Sequence, residues 1–126
     1  MADINVVAGQ FVNYYYETFD NSQPEERAKN LQVLYRPSSM LTFEGTQLLG
    51  VEAIGERLAQ LPKVQHKIVT LDAQPSSGAV ASVLVSVTGT LAIDGENPMN
   101  FSQIFHLLPE AQSYYVFNDI FRLNIS

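Results

Sequence analysis

The apolar residues of this chain change their spacing near Pro62. Before it they recur mostly every three or four residues; after it they recur every second residue. Ile4, Val7, Ala8, Phe11, Val12, Tyr15 and Phe19 form one helical stripe, with Asp3 as its cap and Asp20-Asn21 as its break. Ser22 with Pro24 and Glu25 reads as the start of a second helix, a capping box with proline in the first turn. Its buried face is Ala28, Leu31 and Tyr35, and Pro37 ends it. Val51, Ile54, Leu58 and Leu61 make a third stripe, closed by Pro62. One short strand, Met40 to Glu44, interrupts this half and turns at Gly45.

Beyond Pro62 the pattern predicts strands over 64–73, from Val83 to Ile93, over 100–108 and over 113–123. Gln74 to Gly78, Asp94 to Pro98 and Pro109 to Gln112 are the turns between them. Val83, Val85, Val87, Leu91 and Ile93 share one face, which Gly89 interrupts; a strand glycine marks a bend, a bulge or a close backbone approach. Helices first and antiparallel strands afterwards argue for an α+β fold over a βαβ parallel sheet. The expected architecture is a cone: one long curved sheet wrapped against the N-terminal helices, with an apolar mouth. The length of 126 residues fits one domain, 1–126.

Composition removes several function classes. Thirteen acidic residues against seven basic ones give −6, so nucleic acid is a poor partner, because phosphate binding needs clustered Lys and Arg. The same sign favours a basic protein partner, although −6 also simply keeps a small protein soluble. No apolar run approaches the ~20 residues that span a bilayer, and Met1-Ala2-Asp3 lacks the basic start of a signal peptide. The absence of cysteine excludes disulfides, thiolate metal sites and thiol nucleophiles, and agrees with a reducing compartment. Neither a phosphate-binding glycine loop nor a G-x-S-x-G elbow occurs. His66 and His106 lack helically spaced partners, so no metal is expected.

The last strand carries the strongest local conflict. Asn118-Asp119 sits between Phe117 and Ile120-Phe121, where the chain must bulge or hydrogen-bond the two polar side chains to nearby backbone. Large apolar flanks suit binding better than bond-breaking. Phe43 and Phe121 are core residues on the plain reading and pocket walls on the sharper one. His66 alternates with Val64 and Ile68; it is either a core-edge histidine with one hydrogen bond or a polar group at the mouth, paired with Glu44 across adjacent strands. Asp94 and Glu96 are solvated turn residues, or a small acidic clamp for a partner's Lys or Arg. Among Tyr14-Tyr15-Tyr16, only Tyr15 lies squarely on the buried stripe.

Taken in order, Tyr15-Tyr16, Phe19-Asp20-Asn21, Leu34-Tyr35, Leu41 to Gly45, Leu61-Pro62, Val64-Gln65-His66, Asp72 to Pro75 and Asn118 to Leu123 resemble the nuclear transport factor 2 family. Ser102 to Leu107 and Tyr114 to Leu123 look most like its fungal members. The resemblance implies no catalysis and no cofactor. It implies a homodimer with sheets packed face to face. It also implies an adaptor that binds GDP-bound Ran and Phe-Gly-repeat nucleoporins and works in the cytoplasm, at the nuclear pore and in the nucleus. An aromatic from Ran's switch II region would enter a mouth of Phe43, Leu61, Val64, Ile120 and Phe121. Glu44, with His66 beside it, and Asp94 with Glu96 would meet basic residues; Ile4 and Asp20 would lie on the nucleoporin side.

Three departures stand out. The Ser22–Asn30 segment is longer than the family pattern, Ile4 replaces a usual aromatic, and Leu61-Pro62 runs directly into Lys63-Val64 without the usual Phe-Gln pair. Two other readings share the expected fold. One is a small-molecule isomerase or dehydratase with His66 or Asp119 as base, although Asp119 is expected to serve the backbone instead. The other is a dimerisation module of the RNA-export type, which usually sits in longer chains.

Overall fold

The computed structural model describes residues 3–124, and among them three helices and six strands. Helix α1 spans Ile4–Asn21, α2 Pro24–Gln32 and α3 Val51–Gln60. The strands are β1 Tyr35–Phe43, β2 Thr46–Leu49, β3 Val64–Pro75, β4 Val83–Ile93, β5 Met99–Glu110 and β6 Ser113–Leu123. Asp3 caps α1, its carboxylate accepting the Asn5 N–H at 2.8 Å. The expected cap of α2 is displaced: Gln23 holds that position without a side-chain bond, while Ser22 closes α1. Proline at the first helical position presets φ there, and Glu25 and Glu26 favour the positive helix end, so a hydroxyl cap is dispensable. Tyr35 does not extend α2; it opens β1, because its hydroxyl reaches Asp119 in the sheet.

All six strands form one sheet in the order β2-β1-β6-β5-β4-β3. Every pairing is antiparallel except β1 with β6, which run parallel. The expected all-antiparallel sheet is therefore mixed. The chain leaves β1 through a hairpin and returns at the far edge with β3, so β6 closes back onto β1 from the other direction. Strands also outlast their expected ends: β3 runs through Pro75 and β5 through Glu110, leaving Ala111-Gln112 as the turn.

The sheet curves over its helices. Helix α1 packs on β3 and β4, α3 packs on β1 and β2, and α2 bridges the two helices. The inward row Val83, Val85, Val87 and Leu91 meets Ala8, Val12, Tyr15 and Phe19 in one core. Three register shifts interrupt the pairings, one of them in β1 between Tyr35 and Met40 opposite β6, and the two others shape the curve of the long strands. At the first of these two, β3 shifts register between Ile68 and Thr70, opposite Gly89. A Cβ at Gly89 would stand 2.1 Å from the Lys67 carbonyl oxygen, so the glycine permits this close approach. At the second, β6 gains one residue, Phe117, between Val116 and Asn118. This bulge moves the inward face from Val116 to Asp119 and Phe121.

Candidate functional site: an apolar cavity between acidic turns

Strand registers bring the key residues to one end of the sheet. Phe43 pairs with Phe121, Phe121 with Gln103, Leu91 with Met99 and Ile93 with Val64. The C-terminal end of α3 covers this end, because Leu58 and Leu61 face inward. Between them lies a cavity of about 80 Å³, lined by Phe43, Leu61, Val64, Ile93 and Phe121 among others. The Phe43 and Phe121 rings stack at 4.8 Å with 11° between planes, and Phe121 stacks in turn on Phe101 at 5.8 Å. Gln103, His66 and Tyr15 bring polar atoms to an otherwise apolar lining.

Four of the five expected mouth residues are thus together. Ile120 is not: it lies on the outer face, 44% exposed, because neighbours on a strand point to opposite sides. There it pairs directly with Ile104, another exposed isoleucine.

The acidic residues sit in turns at the same end. Glu44 and Gly45 form the two-residue β1–β2 turn, both with positive φ (50° and 88°). Asp94 and Gly95 repeat this conformation (48° and 77°), and the Glu96 N–H donates to the Ile93 carbonyl at 2.9 Å. Such turns match the twist of a hairpin and hold their first side chain clear of the sheet. Glu44, Asp94 and Glu96 are exposed, so each can meet a partner's cation without being stripped of all its water. Glu44 is itself anchored, accepting the Leu123 N–H.

His66 is organised differently from the expectation. It pairs with Asp20, not with Glu44; β1 and β3 are not neighbours in the sheet. One Asp20 oxygen lies 2.6 Å from His66 Nδ1, and the other accepts the His66 backbone N–H at 2.7 Å. Aromatic rings of Tyr16, Phe19 and Phe101 pack against the imidazole. Tyr16, off the main stripe, is buried here, donating its hydroxyl to Gln103 Oε1 at 2.6 Å. Asp20 stands near the C-terminal end of α1 and Ile4 at its start, roughly 24 Å away by helical rise. Within one protomer these two do not form one site.

Two charged residues at the site carry no sequence signal. Arg27 is fully buried and donates to the Leu58, Leu61 and Pro62 carbonyls at 2.8–2.9 Å, its guanidinium 4.3 Å over Phe19. It thereby closes the end of α3 with the charge that a helix C-terminus favours, and fixes the wall of the cavity. Lys63 does the same for α1, donating to the Asp20 and Ser22 carbonyls at 3.0 and 3.2 Å. The Leu61-Pro62-Lys63 connection is therefore tied at both ends.

Asp119 does not serve the backbone as expected. Its carboxylate accepts from the Tyr35 hydroxyl at 2.7 Å and from Gln103 Nε2 at 2.8 Å, and burial pushes its pKa up to about 6. Both oxygens are engaged and Gln103 separates them from the cavity. Asn118 turns outward, toward His106. Among the described residues, no group of three His, Asp or Glu is placed to hold a metal ion.

Comparison with known proteins shows the family and the fold of the chain. The family model of the nuclear transport factor 2 domain matches residues 7–123. Nuclear transport factor 2 of Saccharomyces cerevisiae is 54% identical over 127 aligned residues, covering 98% of this chain and 97% of its own. That of Schizosaccharomyces pombe is 51% identical, covering 98% of both. The solved structure of nuclear transport factor 2 from Cryptosporidium parvum superposes with a TM-score of 0.85 at 40% identity, covering 96% of this chain and 94% of that one. A Caulobacter vibrioides protein with a cystatin-like fold, 12% identical with a TM-score of 0.80, shares the fold alone. This chain belongs to the nuclear transport factor 2 family.

Proposed function

We propose that the protein is a non-catalytic adaptor: it binds GDP-bound Ran and Phe-Gly-repeat nucleoporins and carries Ran into the nucleus. It would act in the cytoplasm, at the nuclear pore and in the nucleus. The observation that carries this reading is the apolar cavity at the sheet end, flanked by Glu44 on one turn and Asp94 with Glu96 on another. Phe43, Leu61, Val64 and Phe121 would receive an aromatic anchor, and the three acids would meet basic residues beside it. An aromatic anchor supplies the burial, and rim charges supply orientation and encounter rate. A cavity of about 80 Å³ is smaller than the roughly 150 Å³ that holds benzene in an engineered core. The ring would enter partway, with Phe43 and Leu61 yielding. Small-molecule sites occupy ≈ 300–1,000 Å³, which disfavours the enzyme reading.

His66 serves this site as a wall fixed by Asp20, with Glu44 free to act on its own. Asp20 and Ile4 belong to the nucleoporin side. The outer sheet face, with Ile104 paired to Ile120 and Leu84 two strands away, is proposed to pack against a second copy as a homodimer. Titration with GDP-loaded and GTP-loaded Ran tests the proposal. Preferential binding of the GDP form is expected; equal or absent binding to both overturns it.

A further inference from the structure

Among the described residues, Arg57 beside the cavity has no ion-pair partner. Arg57 lies on α3, one turn before Leu61, so both side chains stand on the same side of the helix. Its guanidinium carbon is 4.8 Å over the Phe43 ring. Among the described residues its Nε is the one buried side-chain nitrogen or oxygen without a hydrogen-bond partner. The contrast with fully buried Arg27 is sharp: Arg57 is half-buried with only its Nε out of solvent, whereas Arg27 is satisfied by backbone carbonyls. Buried polar groups are almost always paired, so an exception at a binding surface calls for a reason.

The acid next to Phe43 in the chain, Glu44, is turned onto the Leu123 N–H. A cation and an anion thus flank one aromatic wall without neutralising each other. An intramolecular pair would have been easy to select, because Arg to carboxylate is the most favourable side-chain geometry for one. Leaving the two unpaired with each other suits a partner that brings the complement of each.

Resting on the Ran reading of this cavity, we infer that Arg57 is a further partner-binding residue. It takes a carboxylate that the partner presents next to its aromatic anchor, on the side opposite the base met by Glu44. The partner's motif is then an aromatic with a base on one side and an acid on the other. Phe43 holds the guanidinium flat against its ring, so little side-chain freedom is lost when the carboxylate arrives. The assignment also gives orientation: a motif entered backwards would set acid against Glu44 and base against Arg57, a like-charge arrangement at both ends.

The test is calorimetric titration of GDP-loaded Ran into the wild-type dimer and into Arg57→Gln, Arg57→Lys and Arg57→Glu, with Glu44→Gln alongside. Arg57→Gln is expected to weaken binding about tenfold and Arg57→Glu about a hundredfold. Arg57→Lys should fall between wild type and Gln, because charge remains but the fork is lost. Melting temperatures and dimer mass should stay at wild-type values. A Ran variant with one carboxylate near its anchor reversed to lysine should regain affinity for Arg57→Glu. Wild-type affinity within twofold in Arg57→Gln and Arg57→Glu, while Glu44→Gln is weakened, overturns this inference and spares the Ran reading. No binding by the wild type removes the Ran reading itself. A large fall in melting temperature with unchanged affinity would make Arg57 a structural residue and also overturn the inference.

Discussion

Glu44 and Asp94 occupy the same place in two different turns: each is the first of two left-handed residues, at the same end of one sheet. Their φ values, 50° and 48°, lie where L-residues other than Gly, Asn and Asp are uncommon. Each site therefore holds its carboxylate by backbone geometry, and for Glu44 the Leu123 N–H adds a further tether.

Reversing one of these charges should break Ran binding without touching the fold. Glu44→Lys is expected to weaken the complex with GDP-loaded Ran by about a hundredfold or more, through both lost attraction and new repulsion. Glu44 is exposed, so dimer mass and melting temperature should stay close to wild type. Retained affinity in the Lys variant, measured by calorimetry, would remove the ion-pair argument.

Ile120 tests the proposed dimer separately from Ran binding. It lies outside the cavity and faces away from the core, half-exposed, beside Ile104. Ile120→Lys should leave the protomer folded, since little of the side chain is buried there. In a face-to-face dimer it would place two ammonium groups in an apolar interface, at a cost that exceeds a typical contact. Light scattering is expected to show a dimer for the wild type and a monomer for the variant. A variant that remains dimeric would move the interface elsewhere.

Ile120 also marks where the sequence could and could not be read. Alternation of Val83, Val85, Val87 and Leu91 sufficed to place the inward face of β4, because no residue there breaks the period before the partner strand does. In β6 the same count from Val116 points Ile120 inward, and only the bulge at Phe117 turns Phe121 in instead. A bulge forms by pairing with a distant strand, so the local pattern does not reveal it. Parallel pairing of β1 with β6 is invisible for the same reason, and so is Tyr35, whose helical spacing from Leu31 is overruled by the Asp119 hydrogen bond. The turns at Gly45 and at Asp94-Gly95 are legible because their chemistry is contained in adjacent residues, although Glu44 reads as the strand's last residue and stands in the turn instead. Arg27 and Arg57 are not legible, since their environments are assembled from α1, α3 and β1.

Gly89 should be intolerant of even one added carbon. Its missing Cβ faces the Lys67 carbonyl oxygen at 2.1 Å, a backbone atom that cannot swing aside. Gly89→Ala would have to undo the β3 register shift or push the strands apart. A loss of roughly 2–4 kcal/mol is expected, at the upper end for overpacking because backbone must move. Urea denaturation measures it directly. A change below about 0.5 kcal/mol would mean that the bulge relaxes without penalty, and that the glycine is not what permits the close approach.

Asp119 should give the fold a pH dependence of unusual sign. A carboxylate that is stabilised by folding has a lowered pKa and loses that stability in acid. Here burial dominates over the bonds from Gln103 and Tyr35, and the pKa rises from 3.8 to about 6. The folded protein then binds this proton more tightly than the unfolded chain does. Its contribution is fully present below pH 3.8 and is lost as the pH rises through about 6. The shift corresponds to about 3 kcal/mol at most, at about 1.4 kcal/mol per unit. Asp119→Asn keeps the shape and an acceptor for one of the two donors but cannot titrate. The difference in unfolding free energy, wild type minus Asp119→Asn, should therefore fall between pH 4 and pH 7 and be flat above it. Taking the difference cancels the exposed carboxylates, which titrate alike in both proteins. Urea midpoints at half-unit steps across this range decide the matter. A difference that rises with pH would show that the Tyr35 and Gln103 hydrogen bonds outweigh desolvation, with Asp119 ionised in the core throughout.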